Sequence, residues 1–150
     1  MKTPPFLTEL LFAPGQHPHS IGVVIVPTLA EMHQILASSG ASTPHIIEAG
    51  GGPPRAAFWC DYDNPDKTKL GYVIFAGEAL DPSIMVHELT HAASFFVNCY
   101  VMRSKAVQAK EIEEQHDYFD EALAHTIETL FEQLFEFVYT AAPLSHRFIP

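Results

Sequence analysis

The spacing of apolar positions changes halfway along the chain. In the first half they come in short, dense runs; in the second they recur every three or four residues. "IGVVIVP", Ile21 to Pro27, is apolar, rich in β-branched residues and stopped by proline, the pattern of a buried strand. "TLAEMHQILASSG" reads as a helix, with Leu29, Met32 and Leu36 on one face. Thr28 and Glu31 stand at capping-box spacing, and Gly40 is a terminator. "TPHIIEAGGGPPRAAFWCDYD" holds a short strand with His45, a bend over Gly50 to Pro54, and another strand; "NPDKTKLG" is a turn. "YVIFAG", Tyr72 to Gly77, is a further strand, and Leu7 to Phe12 predicts an arm or short helix.

The second half is helical. Asp81 before Pro82 pairs a cap residue with proline at the first helical position, so a helix is expected from there to about Met102. A second helical region covers roughly Lys105 to Thr140, with a break near Gln115 to Asp117, and Pro143 blocks its continuation. Along it, Leu123, Ile127, Leu130, Leu134 and Val138 form an apolar stripe, opposite a polar stripe of Glu121, His125, Glu128, Glu132 and Glu136. The expected fold is α+β: a small mixed or antiparallel sheet, then two long core helices, as one domain over residues 1–150.

Composition narrows the function classes. At 47% hydrophobic the chain can build a core and is not of disordered type. A net charge of -10 argues against nucleic acid or an anionic membrane as the main partner, since both favour a basic surface. Cys60 and Cys99 make no CxxC pair, so neither a thiolate zinc site nor a redox couple is indicated. The N-terminus lacks a signal-peptide apolar core, and no run is long enough to span a bilayer. A soluble, cytoplasmic protein is expected.

Candidate chemistry sits in "MVHELTHAASFF", Met85 to Phe96. On a helix, positions i and i+4 share a face, so His87 and His91 can aim two imidazoles at one ion. Glu88 lies beside them, spaced to take a proton from a water. With nine histidines in the chain, a chance pairing or a hydrogen-bonded cluster is the alternative. Context favours a metal, because an otherwise apolar helix seldom carries two histidines and a glutamate together unless they are paired or ligating.

"VHELTHAA" resembles the active-site helix of the zincin metallopeptidases, and "DEALAHTIETL" resembles the glutamate helix of their gluzincin branch. The chain is also similar to small single-domain HExxH proteins of bacteria and phages. The resemblance covers about Tyr72 to Leu130 and implies a minimal zincin-like fold binding zinc through His87, His91 and Glu121. It implies that Glu88 is the catalytic base, and that His125 either orients Glu121 or faces the reacting carbonyl. It also implies that the strand Tyr72 to Ala76 borders the cleft and pairs with an extended peptide. The metzincin pattern HExxHxxGxxH is absent, since Ser94 and Val97 stand where its glycine and third histidine would fall.

From the residues alone the third ligand stays open. Glu121 gains because two protein ligands would be few for zinc; His116, Asp117, Asp120 and His125 are rivals, and a solvent face is the plain reading of that stripe. His17 and His19 lie in a proline-rich turn, His33 and His45 on element surfaces, and His146 in the tail with Phe148 and Ile149. Phe131 and Phe135 spread beyond the main stripe, which suggests a homo-oligomer or partner-protein contact through the C-terminal helix. The favoured reading is zinc-dependent hydrolysis of a peptide or protein substrate. Its rivals are a non-catalytic, metal-stabilised interaction protein and a hydrolase of a non-peptide amide.

Overall fold

The computed structural model describes residues 6–38, 55–60 and 67–140. The expected strand at His45, the bend at Gly50 to Pro54, the Gly40 terminator, Pro143 and the tail carrying His146 lie outside the described residues. Four strands form one mixed sheet in the order β1-β2-β4-β3, with β1 Phe6–Leu11, β2 Ser20–Val26, β3 Ala56–Cys60 and β4 Lys69–Ala76. β1 runs antiparallel to β2, β2 parallel to β4, and β3 antiparallel to β4. β2 and β4 are central and buried nearly throughout, which is why they read as continuous apolar runs rather than alternating ones.

Register assigns the two faces. Val23, Val73 and Phe58 lie abreast on one face; Val24, Ile74 and Ala57 lie abreast on the other. Helix α1, Leu29–Ser38, covers the second face with Met32 and Leu36. Its start is held twice: Glu31 N–H donates to Thr28 Oγ1 at 3.2 Å, and Leu29 N–H donates to Glu78 Oε1 at 2.7 Å. The first face carries the larger core, where Ile21, Val23, Val73 and Phe75 pack with Leu89, Phe96, Leu130 and Leu134.

Those last four residues belong to the two long helices, α2 Pro82–Phe96 and α4 Ile112–Thr140. Asp81 caps α2 as its sequence implies, accepting from Ile84 N–H at 2.9 Å. A π-helical turn, Val97–Val101, ends α2, and the one-turn helix α3, Lys105–Gln108, leads into α4. The break between the helical stretches thus falls at residues 109–111, earlier than the expected Gln115 to Asp117. The α4 stripes are as read: Leu130, Leu134 and Val138 are buried, while Glu121, His125, Glu128, Glu132 and Glu136 are exposed.

Two expectations are corrected. Leu7 to Phe12 is not an arm or helix, because backbone pairing with β2 makes it the edge strand β1. Its last residue is tied to α4: Leu11 N–H donates to Gln133 Oε1 at 2.9 Å and Gln133 Nε2 donates to Leu11 O at 2.8 Å. Nor is β4 an edge open to a peptide, since β2 and β3 flank it. Among the described strands, the edge beside α2 is β3, whose Phe58 meets Phe95 of α2 at 6.2 Å between ring centroids.

β3 sits close to β4 because residue 71 is glycine. A Cβ there would fall 2.1 Å from the Trp59 carbonyl oxygen. Gly71→Ala therefore forces the strands apart and is expected to destabilise the chain by roughly 1–3 kcal/mol, the range for forced overpacking. Denaturant unfolding of the two forms checks this; an unchanged midpoint would contradict the strand placement.

Candidate metal centre

α2 presents its chemistry through the way it is seated. Its buried positions are Ile84, Met85, Glu88, Leu89, Ala92, Ala93 and Phe96, a stripe at helical spacing that faces the core. Each large apolar member contributes about 1.5–3 kcal/mol of burial, so the rotation of the helix is fixed. Glu88 stands within this stripe, only 5% exposed. His87 and His91 stand at its rim and are both exposed.

Phe95 lies four residues beyond His91 and eight beyond His87, on the same side of the helix. Because Phe95 meets Phe58, the histidine side of α2 looks toward the β3 edge. The two rings converge, with His87 Nε2 and His91 Nε2 3.2 Å apart. Two nitrogens each about 2.0–2.1 Å from one tetrahedral ion stand about 3.3 Å apart, so the pair has the separation zinc needs. The same distance suits a ring-to-ring hydrogen bond between neutral imidazoles. Glu88 Oε1 lies 3.8 Å from His87 Nε2, inside the same cluster. One ligand atom from each of His87, Glu88 and His91 lies within 4.8 Å of the others, a set capable of coordinating a metal ion.

Protonation favours ligation. His91 is held below the ordinary histidine value, first by burial and then by the neighbouring His87. Its neutral form, the one that binds metal, therefore persists further into acid than in a free histidine.

The cluster of His87, Glu88 and His91 includes neither Glu121 nor His125. Both are exposed on α4. Five residues at about 100° each place Glu121 about 140° around the helix from the buried Thr126. His116 and Asp120 line a cavity at the far end of α2, with Asn98 and Met102. His17 and His19 pack among aromatics instead, His17 edge-on to Phe96 and His19 against Tyr100. Tyr100 thus belongs to that cluster and Phe95 to the β3 contact. Cys60 and Cys99 form no disulfide. The sequence reading missed β3 as the strand beside the site; "AAFWC" shows strand composition but nothing of its place in the sheet.

No described helix is long and apolar enough to cross a membrane. No family model, curated protein or solved structure matches the chain. What the structure defines is an α+β fold carrying a His-Glu-His cluster able to hold a metal.

Metal affinity should fall on acidification, because protons compete with the ion for the imidazole nitrogens. The metal-free fold should lose stability in the same direction. His91 titrates lower in the folded chain, so the unfolded chain binds more protons there and gains on acidification. Zinc titrations at pH 7.5 and 5.5 check the first point; equal affinity at both would contradict imidazole ligation.

Proposed function

We propose that the chain is a zinc-dependent hydrolase acting on peptide bonds. The observation that carries this reading is the 3.2 Å convergence of the two exposed imidazoles with a buried carboxylate 3.8 Å away. His87 and His91 would hold the ion. When bound there, the ion would supply the positive charge that makes a water acidic and a carbonyl electrophilic. Glu88 would take the proton from the attacking water and return it to the leaving amine.

The seating of α2 supports that role, since a carboxylate locked in a packed stripe is held in one place while the histidines stay open to substrate. The exposure of both rings favours an accessible ion over a closed structural one. The substrate would lie extended against β3, the edge beside α2, adding a strand to the sheet. One domain over residues 1–150 and a cytoplasmic location complete the proposal. This reading routes no step through Glu121 or His125, which the resemblance implies as third ligand and its partner.

Four variants test this. His87→Ala and His91→Ala are expected to lower zinc affinity at least tenfold. Glu88→Gln should keep zinc while losing at least 100-fold of any peptide hydrolysis, on the scale of general-base loss. Glu121→Gln should keep the parent's zinc stoichiometry; loss of metal there would restore it as the third ligand. Zinc binding by competition with a chromogenic chelator, set beside cleavage of a peptide library, reads all four. Zinc bound equally by the parent and both histidine variants would overturn the proposal.

A further inference from the structure

Beyond the cluster, α2 runs on to a second feature. Seven residues past His91, about 10 Å along the helix axis, Asn98 enters a cavity of about 480 Å³ between the end of α2 and the start of α4. Asn98 stays on the histidine side, since seven residues at about 100° each bring it back to within about 20° of His91 around the helix; its side chain donates to Ser94 O at 2.9 Å. Gln108, Gln115, Asp120 and His116 line the cavity's polar part, and Met102 and Phe119 its apolar part.

The hydrogen bonds of the three amides share one sense. Asn98 Nδ2 donates to Ser94 O and to Ser94 Oγ. Gln108 Nε2 donates to Met102 O at 2.6 Å, and Gln115 Nε2 donates to Lys110 O at 2.9 Å. A backbone carbonyl only accepts, so these partners fix which end of each amide is nitrogen. Gln108 keeps one of its two N–H groups, but none of the three amide oxygens accepts a hydrogen bond among the described residues, so each is left to offer a ligand. Asp120 adds a carboxylate, which has no ion-pair partner among the described residues. The nearby Lys110 ammonium is drawn off over the Tyr118 ring, 5.6 Å from its centroid.

A cavity whose polar wall holds three amide oxygens and a carboxylate beside the His116 ring, with an aromatic ring and a thioether, suits a planar cation rich in donors. Guanidinium offers five N–H groups in a plane and stacks on aromatic faces; ammonium offers three around a point. We propose that this cavity binds an arginine side chain of the substrate. That role rests on the hydrolase reading above, although binding itself does not. An extended chain advances about 3.3 Å per residue, so the arginine would stand about three residues from the bond cleaved. Glu113, Glu114, Asp117 and Glu121 surround the start of α4, and their charge draws a basic peptide toward that end of the molecule.

The test uses the full chain stripped of metal by chelator, so that no hydrolysis intervenes. N-acetyl-arginine amide is titrated against its neutral isostere, N-acetyl-citrulline amide, and against the lysine amide, with NMR shifts of Asn98 and Phe119 as readout. The arginine compound is expected to saturate and to bind at least tenfold tighter than citrulline. Asp120→Asn should remove most of that preference with an unchanged melting temperature. Equal binding of arginine and citrulline, or no saturable shift at these residues, would overturn the proposal, and the comparison on the parent chain holds even if the variant folds poorly. Cleavage profiles of the zinc-loaded protein then separate the two claims. Enrichment of arginine at one fixed position supports the substrate role, whereas binding without any cleavage refutes the hydrolase reading and leaves the cavity assignment standing.

Discussion

The site depends on one seating constraint, the burial of the α2 stripe against the sheet and α4. Six of its seven buried members are apolar and the seventh is Glu88. Burying a carboxylate is unfavourable unless something engages its charge, so its place among Leu89, Ala92 and Met85 is the oddest local choice in the chain. Once the stripe is fixed, the positions of His87 and His91 follow from helical geometry. They stand one turn apart at the rim, with the carboxylate beside them on the inner side.

The rest of the fold holds that arrangement in place. Asp81 sets the first turn of α2, and the Ser83 hydroxyl, donating to the Asp81 carboxyl at 2.6 Å, holds that acid below the usual carboxylate range. β4 delivers the chain to this cap, and α4 closes the far side of the core. β3, drawn in by Gly71, lies along the histidine side and gives the site a backbone edge as a neighbour. The cluster thus has the β3 backbone beside it, and the cavity lies further along, between the end of α2 and the start of α4.

Much of this was legible in the sequence because it is local. The Thr28 cap of α1, the Asp81-Pro82 start, the apolar runs of β2 and β4 and the alternating stripes of α4 each depend on neighbours a few residues apart. What was not legible depends on distant pairing. "FLTELLF" fits a helical period as well as a strand, and only its pairing with β2 decides the matter. The strand before α2 looked like the cleft's border until β3, nearer the N-terminus, proved to lie outside it. Glu121 carries two signals that the sequence does not reconcile, a stripe that marks it as solvent-facing and a motif that implies a ligand. The acceptor character of the cavity could not be read at all, since it arises from where three amides spend their N–H groups.

The central claim is that His87 and His91 share one divalent ion. X-ray absorption at the zinc edge, on protein loaded with one equivalent, tests it most directly. The account predicts imidazole scattering from two histidines with nitrogens at about 2.0–2.1 Å. A shell without imidazole, or zinc that washes out before a spectrum can be taken, would contradict it.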